Sequence, residues 1–345
     1  MTNIKRVGVD IAKTVFHIHA VDGRDKSVWE GKYNRKAWLQ AIIKRVPNGA
    51  LIGMEACASS HYWARELRGL GFVVKLIAPQ FVKPYVKSNK NDRADAAAIC
   101  EALGRPHMRF VAVKSILQQD IQAAHRIREE LVCHRTAKAN QIRGLVGEYG
   151  IVAPVGIGQL RRALPQWLED GENGLTSDFR QLMFGMAEDL AALDERIEET
   201  TALMTRKVQS DPAAQRLMTI GGVGPIVASA LLGALGDGRN FRKGRDFAAS
   251  LGLTPRQHST GGKPTLLGIS KRGDSYLRKL LVHGARSVFR HAGTKEDKLS
   301  LWLMSLAKRK HANVAIVALA NKIARIAWAV VHNEDTYNPS LAAGL

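Results

Sequence analysis

Along the first 110 residues, apolar and polar positions form short runs that switch between a period of two and a period near 3.6. Ile4 to Ile11 and Val15 to Val21 carry the two-residue alternation of strands and are joined at Ala12 to Thr14; Ser27 to Tyr33 continues as a third. Arg35 to Arg45 predicts a helix. After the Pro47-Asn48-Gly49 turn come a short strand, Leu51 to Met54, a helix from Ser59 to Leu70 closed by Gly71, and a strand from Phe72 to Ile77. Asn91 can cap a helix that reaches Leu103 before Gly104 and Pro106 stop it. A meander of three strands followed by alternating helices and strands predicts an α/β domain over residues 1–110.

The pattern then turns helical. Residues 111–149 favour helix with an arginine face (Arg126, Arg128, Arg135, Arg143), and the Pro and Gly positions between Gly150 and Gly158 predict a break. From Met183 the series Met186, Leu190, Leu193, Ile197, Thr200, Met204 keeps the 3,4 spacing of a coiled-coil seam, which an amphipathic helix packed within its own chain shares. Residues 111–210 therefore read as a helical, coiled-coil linker. Over 211–335, a mainly α domain, Leu217, Ile220, Gly222, Val223, Gly224, Ala228 and Leu231 fit a helix-hairpin-helix, whose Gly-rich turn leaves backbone N–H groups at a helix start for a phosphate. Pro225 suits the first turn of the second helix.

Charge narrows the class. Lys and Arg number 51 against 31 acidic residues, and the +20 surplus is uneven: +10 over 1–110, −3 over 111–215 and +13 over 216–345. Two basic parts flanking a slightly acidic middle predict a nucleic-acid partner. No membrane partner is expected, because the longest apolar stretch, Ala315 to Val331, carries Asn321, Lys322 and Arg325 and reads as a buried helix. The N-terminus has no signal-peptide pattern, so a cytoplasmic protein is expected. Cys57, Cys100 and Cys133 are odd in number and form no CxxC pair, which predicts reduced, buried thiols.

The candidate chemistry lies in four acids. Asp10 ends one apolar strand and Glu55 another, and carboxylates at strand ends can converge on one side of a sheet. Asp92 and Asp95, three apart on the predicted helix, share a face. Such a set suits a pair of hard divalent cations bound through oxygen, which can hold both the attacking and the leaving oxygen of a phosphodiester exchange. Each acid alone also has an ordinary structural use, as a turn cap, a lysine partner or a helix N-terminal charge. Gly8-Val9-Asp10 also fits the phosphate entry of sugar-kinase-like ATPases, but the second domain copy they need is absent from this sequence.

Gly8-Val9-Asp10-Ile11-Ala12-Lys13, Met54-Glu55-Ala56-Cys57, Leu76-Ile77-Ala78-Pro79 and Lys90-Asn91-Asp92-Arg93-Ala94-Asp95-Ala96 resemble the DEDD transposases of the insertion-sequence one-ten family, which includes the Piv-type DNA invertases. Gly222-Val223-Gly224-Pro225, Leu251 to Pro255, His258 to Lys263 and Gly268 to Gly273 resemble the second domain of that family. The resemblance covers about residues 5 to 330. It implies a RuvC-like (RNase H fold) first domain, a helical linker and a C-terminal transposase domain that supplies a nucleophilic serine, at the position of Ser259. It further implies a metal site of Asp10, Glu55, Asp92 and Asp95 holding Mg2+, with Mn2+ as the alternative ion. DNA is the substrate, and a structured non-coding guide RNA from the element chooses the target.

Read from its own residues, Ser259 lies in a loop from Thr254 to Gly268 beside Arg256, His258 and Lys263, with no acid nearby in sequence; the stretch also reads as an ordinary turn. Lys271 and Arg272 belong to a turn read as phosphate-contacting, and Arg278, Lys279, Arg286 and Arg290 continue as a basic helical face. Three functions follow: a transposase acting as a homodimer or tetramer; a hydrolytic Holliday-junction nuclease that leaves Ser259 idle; and a non-catalytic nucleic-acid scaffold. Binding in all three is electrostatic. Affinity for DNA or RNA is expected to fall by roughly 10³- to 10⁵-fold between 50 and 200 mM salt, as for about six to ten phosphate contacts. Titrations at several salt concentrations measure the slope, and a flat response would remove the basic segments as the binding surface.

Overall fold

In the computed structural model, which describes residues 4–86 and 91–339, the chain divides into two compact units, residues 1–117 and 118–345. The first opens with the meander β1 (Arg6–Ile11), β2 (Val15–Val21) and β3 (Ser27–Asn34), followed by α1 (Trp38–Arg45), β4 (Leu51–Glu55), α2 (Ser60–Gly69), β5 (Val73–Ile77), α3 (Pro79–Val82), α4 (Asp92–Leu103) and β6 (Phe110–Val111). The strands form one sheet in the order β3-β2-β1-β4-β5-β6, with β1, β4 and β5 parallel and β2, β3 and β6 antiparallel to their neighbours. Side chains on a strand alternate between faces. Val7, Val9, Phe16, Ile18, Ile52, Met54, Val74 and Leu76 therefore enter one core with α1 and α2, where Trp38 stacks on Phe16 at 4.8 Å and meets Trp63 edge-on at 4.9 Å. The opposite face carries α4.

That second face is shaped by two glycines. Gly8 and Gly53 pair across β1 and β4. A Cβ on Gly8 would lie 2.3 Å from the Ala96 carbonyl oxygen and 2.5 Å from the Cys100 nitrogen, and one on Gly53 would lie 2.9 Å from Leu103. Helix α4, alanine-rich on this side, thus rests against strand backbone and runs antiparallel to β1. Asn91 caps it, its side chain accepting from the Ala94 N–H at 2.8 Å.

The second unit is helical: α5 (Ile116–Gly147), which begins at the end of the first unit, α6 (Ile157–Glu169), α7 (Ser177–Gln209), α8 (Pro212–Met218), α9 (Pro225–Leu235) and α10 (Gly244–Ser250). A two-stranded hairpin, β7 (Pro255–Gln257) and β8 (Leu266–Ile269), precedes α11 (Ser275–His291), α12 (Lys298–Arg309) and α13 (Ala312–His332). Helices α5 and α7 run antiparallel, linked by Arg128 to Thr201 (2.8 Å), Arg135 to Asp194 (3.0 Å) and Lys138 to Asp189 (2.7 Å). Arg161 of α6 also pairs with Asp194, so one carboxylate ties three helices. A second core gathers α8, α9, α10, α11 and α13. By length and apolarity α13 could cross a membrane, but Ala315, Ile316, Leu319, Ala320, Ile323 and Ala327 are buried in that core.

Several boundaries differ from the sequence expectation. The helix expected from Arg35 starts at Trp38, because the Asn34 side chain accepts from the N–H groups of Lys36 and Ala37 and holds a turn there. The seam of α7 buries Met183, Leu190, Ile197 and Met204 inside the unit. Helices α5 and α6 share the cluster of Met183 and Leu190, which favours the packed-helix alternative over a seam for a second chain. Of the cysteines only Cys100 is buried; Cys57, in the turn after β4, and Cys133, on α5, are exposed.

One buried polar group gives the second unit a pH dependence. His125 on α5 lies 2.9 Å from both the Tyr276 hydroxyl and the Ser229 Oγ. Ser229 donates its own proton to the Ile226 carbonyl, so its oxygen accepts from His125 Nε2–H and Nδ1 accepts from Tyr276. Burial, then Arg128, holds the ring down at about 4, from an ordinary 6.5. The folded state consequently takes up a proton later than the unfolded state as pH falls. The stabilisation is complete above about pH 6.5, is lost as pH falls toward 4, and amounts to roughly 3 kcal/mol over that whole window. Urea unfolding at pH 7 and pH 5 is expected to show roughly half of that loss, and His125→Gln to flatten it; an equal slope in the variant would remove His125 as the cause.

Candidate active site

The two-residue alternation that turns Gly8 toward α4 also turns Asp10 to that face, and Glu55 follows Gly53 in the same way on β4. Both acids stand at the C-terminal ends of adjacent parallel strands, since Val9 pairs with Met54 immediately before them. Because α4 lies antiparallel on the glycine shelf, its first turn arrives over Asp10. Carboxylate oxygens of Asp10, Asp92 and Asp95 lie within 4.8 Å of one another. Glu55 is one strand further and outside that tight trio. Asp92 is exposed, whereas Asp10, Asp95 and Glu55 are half-buried.

Three like charges this close repel one another, and the N-terminus of α4 works against that repulsion. A divalent cation would reverse the sign of the interaction, and an all-oxygen, partly solvated donor set suits Mg2+ or Mn2+. The residues present therefore fit such an ion. Cys57, exposed as a residue but with its thiol directed inward toward the Ile11 carbonyl at 4.0 Å, registers the local charge: partial removal of the thiol from water, then Glu55 and Asp10, push it up to about 11. It is a neutral thiol at physiological pH.

His17 was not among the residues singled out from sequence. It pairs with Asp10 across β1 and β2, so it projects on the same face, and its Nδ1 lies 3.6 Å from Asp92 Oδ2. The signal was in the alternation of β2, where Phe16, Ile18 and Ala20 enter the core and leave His17 and His19 on the acid face. Next to Asp92, Arg93 pairs with Glu30 of β3, and Glu30 also meets His19 at 3.2 Å. These contacts tether the start of α4 to the sheet. Lys90, quoted in the sequence motif, lies outside the described residues.

Ser259 is in the second unit, just beyond β7, on an exposed hairpin where a loop was expected. Its Oγ accepts from Gln257 Nε2 at 2.9 Å and from the Thr265 N–H at 3.3 Å. Two donors aimed at one hydroxyl oxygen favour its anionic form. Gln257 is a partner of this hydroxyl that sequence reasoning did not single out, and His258 donates its backbone N–H to the Thr265 carbonyl. Arg256, Lys263, Lys271 and Arg272 are exposed around this region. Arg278 instead donates to the carbonyls of Leu251 (2.7 Å) and Arg272 (3.1 Å), and Lys279 pairs with Glu129. Gly222 (φ +84°) packs backbone to backbone on α11, where a Cβ would lie 2.7 Å from the Gly284 oxygen; Gly224 is the N-cap of α9.

A transposase family model matches residues 7–151, which hold all four acids, and a model described as the transposase IS116/IS110/IS902 family matches residues 214–299, which hold Ser259. A probable family 20 transposase of Pseudomonas aeruginosa is 48% identical over 98% of this chain and 99% of its own length. The transposases for insertion sequence element IS1111A of Coxiella burnetii (98% of this chain, 92% of the relative) and IS1328 of Yersinia enterocolitica (96% and 97%) are each 43% identical. The chain belongs to the IS110 family of insertion-sequence transposases. Family membership implies DNA as substrate and DNA cleavage and transfer as activity.

In this IS110-family chain the glycine shelf sets the acid geometry, and that dependence can be measured. Gly8→Ala is expected to destabilise the first unit by about 1–3 kcal/mol, as overpacking does, and to weaken Mn2+ binding by moving α4. Asp92→Asn is expected to weaken Mn2+ binding while leaving ion-free stability unchanged or higher, because it removes a repulsion. Thermal unfolding with and without Mn2+ compares them. A Gly8→Ala protein with unaltered stability and ion response would refute the shelf.

Proposed function

We propose that this transposase joins DNA strands through a serine intermediate, with Asp10, Glu55, Asp92 and Asp95 as a two-metal Mg2+ site in an RNase H-like, RuvC-type domain. The observation that carries the reading is the convergence of Asp10, Asp92 and Asp95 from β1 and α4. The order β3-β2-β1-β4-β5, with its antiparallel meander and parallel continuation, supports the domain assignment. Bound divalent ions supply Lewis-acid charge to phosphate oxygens. The protein's own part is to hold those carboxylates on the glycine shelf and to present Ser259 on its hairpin.

In the proposed reaction the Ser259 Oγ attacks a DNA phosphorus, an Oγ–P bond forms, one P–O bond to deoxyribose breaks, and the leaving oxygen takes a proton. A hydroxyl of the receiving strand then attacks the same phosphorus, which releases the serine and closes the new backbone. Hydrogen bonds from Gln257 and the Thr265 amide favour an oxyanion at Oγ. Exposed Arg256, Lys263, Lys271 and Arg272, with the α9 start at Gly224, are the proposed phosphate contacts. The basic surplus of both ends suits DNA together with a structured guide RNA, which the sequence resemblance implies. Exchange of two strands requires more than one active site, so the working assembly is read as a dimer or tetramer.

Ser259→Ala is expected to keep nucleic-acid binding, lose strand exchange and form no protein–DNA species that survives denaturation. Ser270→Ala, at the rival serine within the Gly268 to Gly273 turn, retains that species. Asp10→Asn, Glu55→Gln, Asp92→Asn and Asp95→Asn each abolish exchange with the fold intact by circular dichroism. Adduct formation by Ser259→Ala would sink the serine assignment, and metal-dependent cleavage without any adduct would identify a hydrolytic nuclease instead.

A further inference from the structure

In the second unit, the wall of the β7–β8 hairpin and one face each of α12 and α13 enclose a groove of about 770 Å3, within the roughly 300–1,000 Å3 range of ligand pockets. Its apolar lining is open to solvent: Trp302 is 38% exposed, Leu267 47% and Val314 52%. Spacing explains why these side chains share the groove. Lys298 and Trp302 are four apart on α12, and Val314, Asn321 and Arg325 recur at helical intervals along α13. The charged residues of the lining are Lys298, Lys322 and Arg325, with no acid among them.

An apolar trough would suit a helix or a loop of another chain, but three cations and an exposed indole select an occupant with a flat apolar body and a negative charge. A nucleotide has both. Bases stack on aromatic side chains while basic side chains follow the phosphates. Lys322 Nζ lies over the Trp302 ring, 5.3 Å from its centroid, and the indole still leaves 38% of its residue surface exposed to the groove side or solvent. Asn321 donates its amide to the Leu253 carbonyl at 3.1 Å, which leaves its oxygen to accept from a base edge. Burial, then Arg325, holds Lys322 below the usual lysine range, and burial, then Arg245, does the same to Arg325.

We propose that this groove takes up one unpaired nucleotide of the DNA strand bound at the Ser259 hairpin, its base against Trp302 and its phosphate between Lys298 and Arg325. The proposal rests on the reading of Ser259 as the DNA-facing nucleophile, because Pro255 and Leu267 of the same hairpin form one wall. Trp302, Val314 and Arg325 lie beyond residues 214–299 matched by the family model, so that match assigns them no role.

The test compares equilibrium binding of a DNA duplex with a single-nucleotide bulge, its fully paired counterpart and the same bulge in RNA. A 5-iodouracil at the bulge allows photocrosslinking. Wild-type protein is expected to favour the bulged DNA and to crosslink at Trp302. Trp302→Ala should lose roughly 5- to 100-fold on the bulged duplex, the worth of one base–aromatic stack, and nothing on the paired one. Trp302→Phe should keep most of the preference. Val314→Trp, an exposed position that fills the groove from its far wall, should abolish the preference with Trp302 still present. Equal binding of bulged and paired DNA by wild type, a preference for the RNA bulge, or a Val314→Trp variant that changes only the assembly mass would each overturn the proposal. Wild-type protein that binds no DNA at all would overturn the Ser259 reading with it, whereas DNA binding indifferent to Trp302 and Val314 would overturn this inference alone.

Discussion

The direct contact between the backbone of α4 and the backbone of β1 is the constraint from which the acidic site follows. A helix packed on a sheet is ordinarily kept off it by side chains from both partners. Here Gly8 removes the spacer on the sheet side and Ala96 leaves only a methyl group on the helix side. The short approach fixes the height of the helix, and Gly53, paired with Gly8, extends the flat area to Leu103. With height and direction set, the first turn of α4 has little freedom, and Asp92 and Asp95 come to Asp10 even though their charges oppose it. The wider packing of the domain thus holds together a local arrangement that is unfavourable by itself.

The second unit repeats the same device at another place. Gly222 and Gly284 meet backbone to backbone, with a Cβ on Gly284 falling 2.1 Å from the Gly222 oxygen. The turn between α8 and α9 is therefore seated on α11, which positions the start of α9 relative to the helix that follows the serine hairpin. Glycines that read from sequence as a phosphate-binding turn divide into two jobs once the structure is considered. Gly222 serves close approach, and Gly224, with open space where its Cβ would be, caps the helix. A sequence pattern reports that a small residue is needed without reporting which neighbour demands it.

The same distinction separates what was legible from what was not. Strand ends, the Asn91 cap and the shared face of Asp92 and Asp95 depend on periodicity within a dozen residues and were legible, whereas the meeting of Asp10 with the start of α4 was expected only through the family resemblance. His17 needed one further step, the pairing of β1 with β2, which a meander supplies. The partners of Arg278 and Lys279 could not be read, because they lie on other elements: the Leu251 carbonyl and Glu129 are 27 and 150 residues away. The α7 seam was ambiguous for a related reason. A 3,4 spacing states that an apolar stripe must be covered, and only the antiparallel course of α5, with Arg135 on Asp194, identifies its own chain as the cover.

Burial and charge then sort the polar groups of the chain into those that hold the fold and those that remain available for chemistry. His125 and Asp194 are buried with partners on neighbouring helices; their removal from water is compensated, and they act as joints. Asp92 and Ser259 lie at the surface, where a structural role would gain little from them. Asp92 is held against two other carboxylates, and Ser259 carries two hydrogen-bond donors on its oxygen. An exposed acid kept beside like charges costs stability unless a cation binds it, whereas the two hydrogen bonds accepted by Ser259 hold its hydroxyl in place. At the acids, the direction of that imbalance matches a hard cation, the complement proposed for them above.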